Sequence, residues 1–335
     1  MKRKVALIVA GFGRVGRELC NRLRFLPDLS VKAILRSNTQ IINFEGIDLN
    51  KLNEFQPRKY GVGDILRKID EPTILVDVTA DKSMLDDWKL VLASGAALVT
   101  ANKLPLCGPL QECKSFYENQ NQIRFETTVG AGLPVIHTLR NALLSKDLNI
   151  SYEGCLSGTL AYIFDSVKKG QDYSTAVQNA YLKGYTEPDP REDLDAKDLA
   201  RKALIMNRVL GGKLEMDDLT IQSLVPDEMK SLSREEFLAN MDKLRLPSRS
   251  LKMSSPRLIA VGDSKSARVE LVDQKSYQLA KVNLFNLQLH RMVLQNKLEK
   301  KLLSTHVKLI QILVPFHFVI LIQLEHTLLQ KLEKT

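Results

Sequence analysis

Apolar and polar positions switch between two periods along this chain. Residues 5–10 are continuously apolar, the composition of a short strand buried on both faces of a parallel sheet. Directly afterwards the period becomes helical, with Val15, Leu19, Leu23 and Leu26 falling on one face. Residues 31–35, 73–78 and 96–100 repeat the strand pattern, and Trp88, Val91 and Leu92 suit a helix covering the last two. Strands alternating with helices predict an α/β region around a doubly wound parallel sheet. From Pro134, the apolar positions Val135, Leu139, Leu143 and Leu144 predict a helix leading into a second, α+β domain. There a strand is expected at the start of residues 151–159. A helix is expected from about Leu194, burying Leu194, Ala200, Ala203, Leu204 and Ile205, and a late strand at 268–272. The expected domains are 1–134 and 135–280.

Residues 281–335 break the pattern. The last glycine is Gly262, the last aspartate Asp273 and the last alanine Ala280, while four of the five histidines lie beyond, at His290, His306, His317 and His326. Residues 309–324 are apolar, but they are shorter than the ~20 residues of a helical span and include Pro315. No membrane anchor is expected. So abrupt a shift is what a change of reading frame produces.

A chain of 335 residues suits about two domains. Of its formal charge of +9, the tail contributes eight Lys/Arg against three Asp/Glu. The rest has no basic patch interleaved with aromatics, which argues against a nucleic-acid partner. Cys20, Cys107, Cys113 and Cys155 lack metal-ligand spacing and read as reduced thiols or packing residues of a cytoplasmic protein. The basic start and first apolar run are too short for a signal peptide and read better as the first strand.

Gly11, Phe12, Gly13, Arg14, Val15 and Gly16 follow that strand and open the helix. This is the context of a dinucleotide fingerprint: one glycine for the turn, one for approach of the pyrophosphate, one for helix–strand packing. After the second strand comes Arg36, and no acid stands between Asp28 and Glu45. Either Arg36 is an exposed loop residue, or it receives a 2′-phosphate and the preferred cofactor is NADP(H), with NAD(H) possible. Thr79, Ala101, Asn102 and Lys103 stand at carboxyl ends of strands, where open α/β sheets bind ligands.

The densest chemistry runs from Gly184 and Tyr185 through Glu187, Pro188, Pro190 and Asp193 to Asp198 and Lys202. The prolines stiffen the loop. Asp198 and Lys202, four apart, share a helix face. One reading is a salt-bridged surface helix; the other is convergence of Glu187, Asp193, Asp198 and Lys202 on a ligand with an ammonium group and a reacting oxygen. Ser157, Gly158 and Thr159, in a polar glycine loop, offer hydroxyl and N–H groups to a carboxylate. Glycines at 130 and 132 free carbonyls near Glu126, leaving a rigid hinge or a cation site open.

These motifs, in this order and approximate spacing, resemble homoserine dehydrogenase over roughly residues 4–225. The resemblance implies a Rossmann-type nucleotide-binding domain and an α+β substrate and dimerisation domain. It also implies reversible reduction of L-aspartate 4-semialdehyde to L-homoserine by a homodimer. By position, Glu187 and Asp193 would hold the substrate ammonium. Gly184, Tyr185 and the 157–159 loop would surround the substrate. Lys103 and Lys202 would polarise the carbonyl and handle the proton, with Asp198 orienting the lysine. Glu126 and the carbonyls of Val129, Ala131 and Leu133 would hold a monovalent cation, Na+ or K+. The residues do not decide which lysine gives the proton. The fingerprint stands at the start, so a short form without a preceding kinase domain is expected. The family's glycine-rich ending has no counterpart in the tail, which keeps an impaired or noncatalytic homologue open. Another semialdehyde or amino-acid dehydrogenase is a weaker reading.

Overall fold

The computed structural model describes residues 4–273 except 53, 120, 147–149, 249, 251–252 and 254. The expectations for residues 281–335 lie outside this range. The described chain forms two compact units, one ending at His137 and one beginning at Thr138.

The first unit is built on β1 (Val5–Ala10), β2 (Leu29–Leu35), β3 (Thr39–Ile42), β4 (Gln56–Pro57), β5 (Thr73–Asp77), β6 (Ala97–Thr100) and β7 (Ile123–Arg124). They form one sheet in the order β4-β3-β2-β1-β5-β6-β7. β2, β1, β5, β6 and β7 run parallel, and β3 and β4 add antiparallel strands at one edge. Every residue of β1 is buried, as its unbroken apolar run requires. α1 (Arg14–Leu23), α2 (Val62–Leu66), α3 (Met84–Ala93) and α4 (Leu110–Glu118) belong to this unit. Trp88 and Val91 of α3 are fully buried, as their spacing predicts. α1 ends earlier than the apolar spacing suggests, and Leu26 packs on the core from the turn that follows. The chain leaves β1 for β2 on one side and reaches β5 on the other, so the strand order reverses at β1. That is where such a sheet leaves a crevice.

α5 (Val135–Leu144) follows. Its buried line is Ile136, Leu139 and Ala142, whereas Leu143 and Leu144, expected in the apolar face, are 37% and 76% exposed. The buried line steps by three residues and leaves the terminal Leu144 off it. The second unit holds β8 (Ser151–Gly154), β9 (Thr220–Ile221), β10 (Pro256–Asp263) and β11 (Ala267–Asp273) in the order β8-β10-β11-β9. Its helices include α6 (Gly158–Lys168), α7 (Tyr173–Leu182), α8 (Arg191–Leu194) and α9 (Lys197–Val209). α9 packs on β10 and β11, and its Leu199, Ala200, Ala203, Leu204 and Ile205 are all at most 1% exposed. Tyr152 of β8 donates its hydroxyl to the Ala203 carbonyl at 2.7 Å, tying sheet to helix.

Candidate functional site

At the switch point the first unit has a cleft of about 590 Å³. Its lining includes Ala10, Gly11, Phe12 and Gly13 after β1, Leu35, Arg36 and Ser37 after β2, and Val78, Thr79, Ala80 and Asp81 after β5. The glycines there differ in what requires them. Gly11 has φ +98°, and a Cβ on it would stand 2.9 Å from the Val78 carbonyl oxygen. A Cβ on Gly16 would meet the Gly11 carbonyl. A Cβ on Gly13 would meet no protein atom within 4 Å, so packing does not require that glycine, which lines the cleft. Gly13 is also the N-cap of α1, whose first N–H groups and positive dipole end suit an anion.

Two arginines stand on the β2 side. Arg36 is fixed at its backbone by N–H donation to the Thr39 carbonyl at 2.8 Å. Its guanidinium lies 5.0 Å from the Phe55 ring centroid. Arg58 also lines the cleft and donates from Nη1 to the Arg36 carbonyl at 3.4 Å. The sequence pattern does not reveal Arg58: it is delivered by the short β3–β4 pairing, and residues 51–60 carry no period to mark it.

Asp77, at the end of β5, is likewise unmarked by the pattern. Its side chain is fully buried and accepts four hydrogen bonds. Oδ1 takes the Thr79 N–H at 2.8 Å and its hydroxyl at 2.7 Å; Oδ2 takes the Trp88 indole and the Asn102 amide, each at 3.0 Å. Burial pushes the carboxyl upward and these donors pull it back. Asn102 also donates to the Asp81 carbonyl at 2.7 Å. Asp77 thus joins the turns after β5 and β6. Asn102 is 1% exposed, so its side chain serves the turn itself. Ala101 is anchored by N–H donation to the Asp77 carbonyl. Lys103 follows, half-buried, with its own carbonyl accepting from Leu106 and Cys107.

Glu126 lies in a short 3-10 turn and accepts the His137 N–H at 2.9 Å. Between them Gly130 and Ala131 take left-handed conformations, φ +78° and +53°, and Leu133 donates to the Gly130 carbonyl. Among the described residues no group of three or more His, Cys, Asp or Glu could hold a metal ion. The four cysteines are thiols, not disulfides, and burial pushes the Cys20 thiol up to about 12, the mark of a packing residue.

In the second unit the signature residues meet. Lys202 Nζ is 2.7 Å from Asp198 Oδ2 and donates to the Leu156 carbonyl at 2.5 Å. Asp193 Oδ2 accepts the Glu187 N–H at 2.8 Å. Burial raises the Asp193 carboxyl, and the charges of Glu187 and Asp198 raise it further, against the hydrogen bond from the Glu187 N–H. Three acids and one lysine therefore share a small region. Contrary to expectation, Ser157 and Thr159 are not in a loop throughout: Ser157 caps α6 and accepts from the Leu160 N–H at 3.2 Å. The Thr159 hydroxyl donates to the Tyr185 carbonyl at 2.6 Å. The helix start engages both hydroxyls and the Leu160 N–H internally, and the N–H groups of Gly158 and Thr159 face the position an anion takes at a helix start. Arg191 holds the loop from the other side. It grips Asp189 through Nε and Nη2 at 2.6–3.1 Å and donates to the Leu232 carbonyl at 2.6 Å.

A glycine fingerprint at the switch point of a largely parallel sheet defines a Rossmann-type nucleotide-binding unit, joined in this chain to a smaller α+β unit. The chain belongs to the homoserine dehydrogenase family, oxidoreductases acting on a CH–OH group; the family profile matches residues 134–308. It is 32% identical to homoserine dehydrogenase of Schizosaccharomyces pombe over 268 residues, 72% of this chain and 71% of that protein. It is 35% identical to the chloroplastic bifunctional aspartokinase/homoserine dehydrogenase of Daucus carota over 259 residues, 71% of this chain but 28% of that protein. The chain thus spans under a third of the length of such bifunctional relatives. A Candida auris protein of unknown function superposes with TM-score 0.69 at 28% identity, over 81% of this chain and 84% of that one. A hyperthermophilic archaeal homoserine dehydrogenase in complex with NADPH gives 0.61 at 22% identity, over 81% and 82%. Among the described residues no helix is long and apolar enough to cross a membrane.

Proposed function

We propose that this chain interconverts L-homoserine and L-aspartate 4-semialdehyde, preferring NADP(H) and accepting NAD(H) more weakly. The observation that carries this reading is the Lys202–Asp198 pair beside Asp193 and Glu187, within the segment that matches the family. Glu187 and Asp193 hold the substrate ammonium. The N–H groups of Gly158 and Thr159, at the capped start of α6, receive its carboxylate. Gly184 and Tyr185 complete the substrate-binding loop. Lys202 polarises the carbonyl oxygen and passes the proton, and Asp198 orients its ammonium group. By its match to the family, Lys103, which follows β6, is proposed for carbonyl polarisation and proton handling as well. A lysine is suited to both tasks because its ammonium group stabilises a developing alkoxide and can donate to it.

The cleft of the first unit fits the cofactor: Gly13 lines it, the start of α1 offers N–H groups to the pyrophosphate, and Arg36 and Arg58 await a 2′-phosphate. When bound, the nicotinamide supplies or accepts the hydride. Glu126 and the Val129, Ala131 and Leu133 carbonyls would supply the oxygen donors that a hard monovalent cation, Na+ or K+, prefers. The enzyme would work as a homodimer in the cytoplasm, in threonine, methionine and isoleucine biosynthesis.

The test is homoserine-dependent reduction of NADP+ and NAD+ by purified protein, followed at the nicotinamide absorbance. Turnover with both, faster with NADP+, is expected. A folded protein that binds NADP+ and leaves homoserine untouched overturns the reading.

A further inference from the structure

Arg36 carries the charge that would recognise a 2′-phosphate, yet an exposed arginine is a flexible chain that loses rotamer entropy on binding. Its backbone is fixed on both sides, by its own N–H on the Thr39 carbonyl and by Arg58 Nη1 on its carbonyl. Side-chain direction remains to be set. The guanidinium lies 5.0 Å from the centroid of Phe55, within the ~6 Å of a cation–π contact. Phe55 is itself held: its ring stands 5.1 Å from that of Phe12, tilted 43°, and both rings pack against the core of the first unit. An aromatic face is a fitting support here. It orients the guanidinium without neutralising it, and it leaves the N–H edges to donate in the guanidinium plane to a phosphate. A carboxylate partner would quench the charge the site needs.

We propose that Phe55 is a positioning residue for cofactor selectivity: its ring fixes the Arg36 guanidinium at the cleft and so sets the preference for a 2′-phosphorylated dinucleotide over the 2′-hydroxyl form. This rests on the reading of Arg36 given above. It places part of the selectivity in an uncharged aromatic residue that lies 19 positions from the arginine in sequence.

The test is titration calorimetry of NADP+ and NAD+ with the full chain. The readout is the ratio of the two dissociation constants, which general loosening of the fold would not move. In Phe55→Leu and Phe55→Met the preference for NADP+ should fall by roughly 3- to 30-fold, the range of a cation–π contact. NAD+ affinity should stay within about 2-fold, and Phe55→Tyr should keep the ratio of the unaltered protein. If Phe55→Leu loses NAD+ binding as well, the cleft itself has failed and the ratio in Phe55→Met decides. Arg36→Ala separates the two levels. Collapse of the ratio in Arg36→Ala but not in either apolar Phe55 variant overturns the role of Phe55 and leaves Arg36 standing. An unchanged ratio in Arg36→Ala overturns both.

Discussion

Lys202 Nζ lies 2.7 Å from Asp198 Oδ2, one turn back along α9, and 2.5 Å from the carbonyl oxygen of Leu156. The lysine side chain is 15% exposed and the aspartate 35%. A pair on a solvated face would contribute little and wander among rotamers. This one is pinned between a helix and the turn that begins α6, so the ammonium group has a fixed direction.

That direction predicts the effect of removing it. Lys202→Ala should lower kcat by ~10²- to 10⁴-fold, the usual worth of a positioned acid–base group, and leave the NADP+ dissociation constant unchanged. Lys202→Arg should recover little, since a planar fork does not replace a compact ammonium group. Asp198→Asn should give a smaller loss in kcat. Steady-state kinetics beside calorimetry check all three, and near-normal turnover in Lys202→Ala would remove the lysine from the chemistry.

Asp193 should give the enzyme an acid limb. Burial first, then the charges of Glu187 and Asp198, raise its carboxyl above the ordinary range, which for aspartate is near 3.9. In the proposed site only the ionised form would attract the substrate ammonium. The homoserine KM should therefore climb as pH falls through a window above the ordinary aspartate value, while NADP+ binding stays flat. In Asp193→Asn the KM should be high at every pH and the limb absent.

The same shift has a sign for stability. A folded-state pKa above the unfolded one favours folding fully below the unfolded value, and that contribution is lost as pH rises through the folded value. At neutral pH the ionised Asp193 is thus a cost to the fold. Asp193→Asn should melt no lower than the unaltered protein, a separation of stability from function that a thermal scan at pH 7 would show. A clear drop in Tm would mean that the carboxylate is structural.

Burial raises the Asp77 carboxyl as well, but its hydrogen-bond donors set it apart. All four of its partners are donors, so a carboxylate is the side chain that satisfies them. Asp77→Ala leaves the Thr79, Trp88 and Asn102 donors without their acceptor and should cost about 3–5 kcal/mol. Asp77→Asn should recover little, because one end of the amide would point N–H groups at two donors. Urea denaturation measures both, and a loss under about 1 kcal/mol in Asp77→Ala would refute the arrangement.

What the sequence showed was what depends on near neighbours. The glycine fingerprint, the apolar run of β1 and the buried stripe of α9 are local patterns with local causes. The Asp198–Lys202 pair follows from helical spacing alone. What stayed hidden depends on pairings between distant segments. Arg58 and Phe55 reach Arg36 because a two-residue strand, Gln56–Pro57, pairs with β3, and nothing periodic marks that segment. Asp77 ends an apolar strand, and its partners come from three separate segments. Ser157 and Thr159 were visible as polar residues of a glycine loop, but not as the capped start of a helix whose geometry occupies their hydroxyls.

The fingerprint glycines give a last prediction, in which two similar substitutions part company. A Cβ on Gly16 would clash with the backbone carbonyl of Gly11, and main chain cannot step aside as the end of a side chain can. Gly16→Ala must therefore push α1 off β1, and it should destabilise the first unit by about 1–3 kcal/mol. Gly13 has a negative φ, −78°, outside the left-handed region that favours glycine. Its Cβ would meet no protein atom within 4 Å. Gly13→Ala should fold with little change in stability, because its methyl meets no protein atom. It should weaken NADP+ and NAD+ binding together, since the crowding falls on the pyrophosphate that both share. Denaturation curves and calorimetry on the two variants decide it. Equal stability losses would mean that both glycines serve packing, and full cofactor affinity in Gly13→Ala would move the pyrophosphate away from this turn.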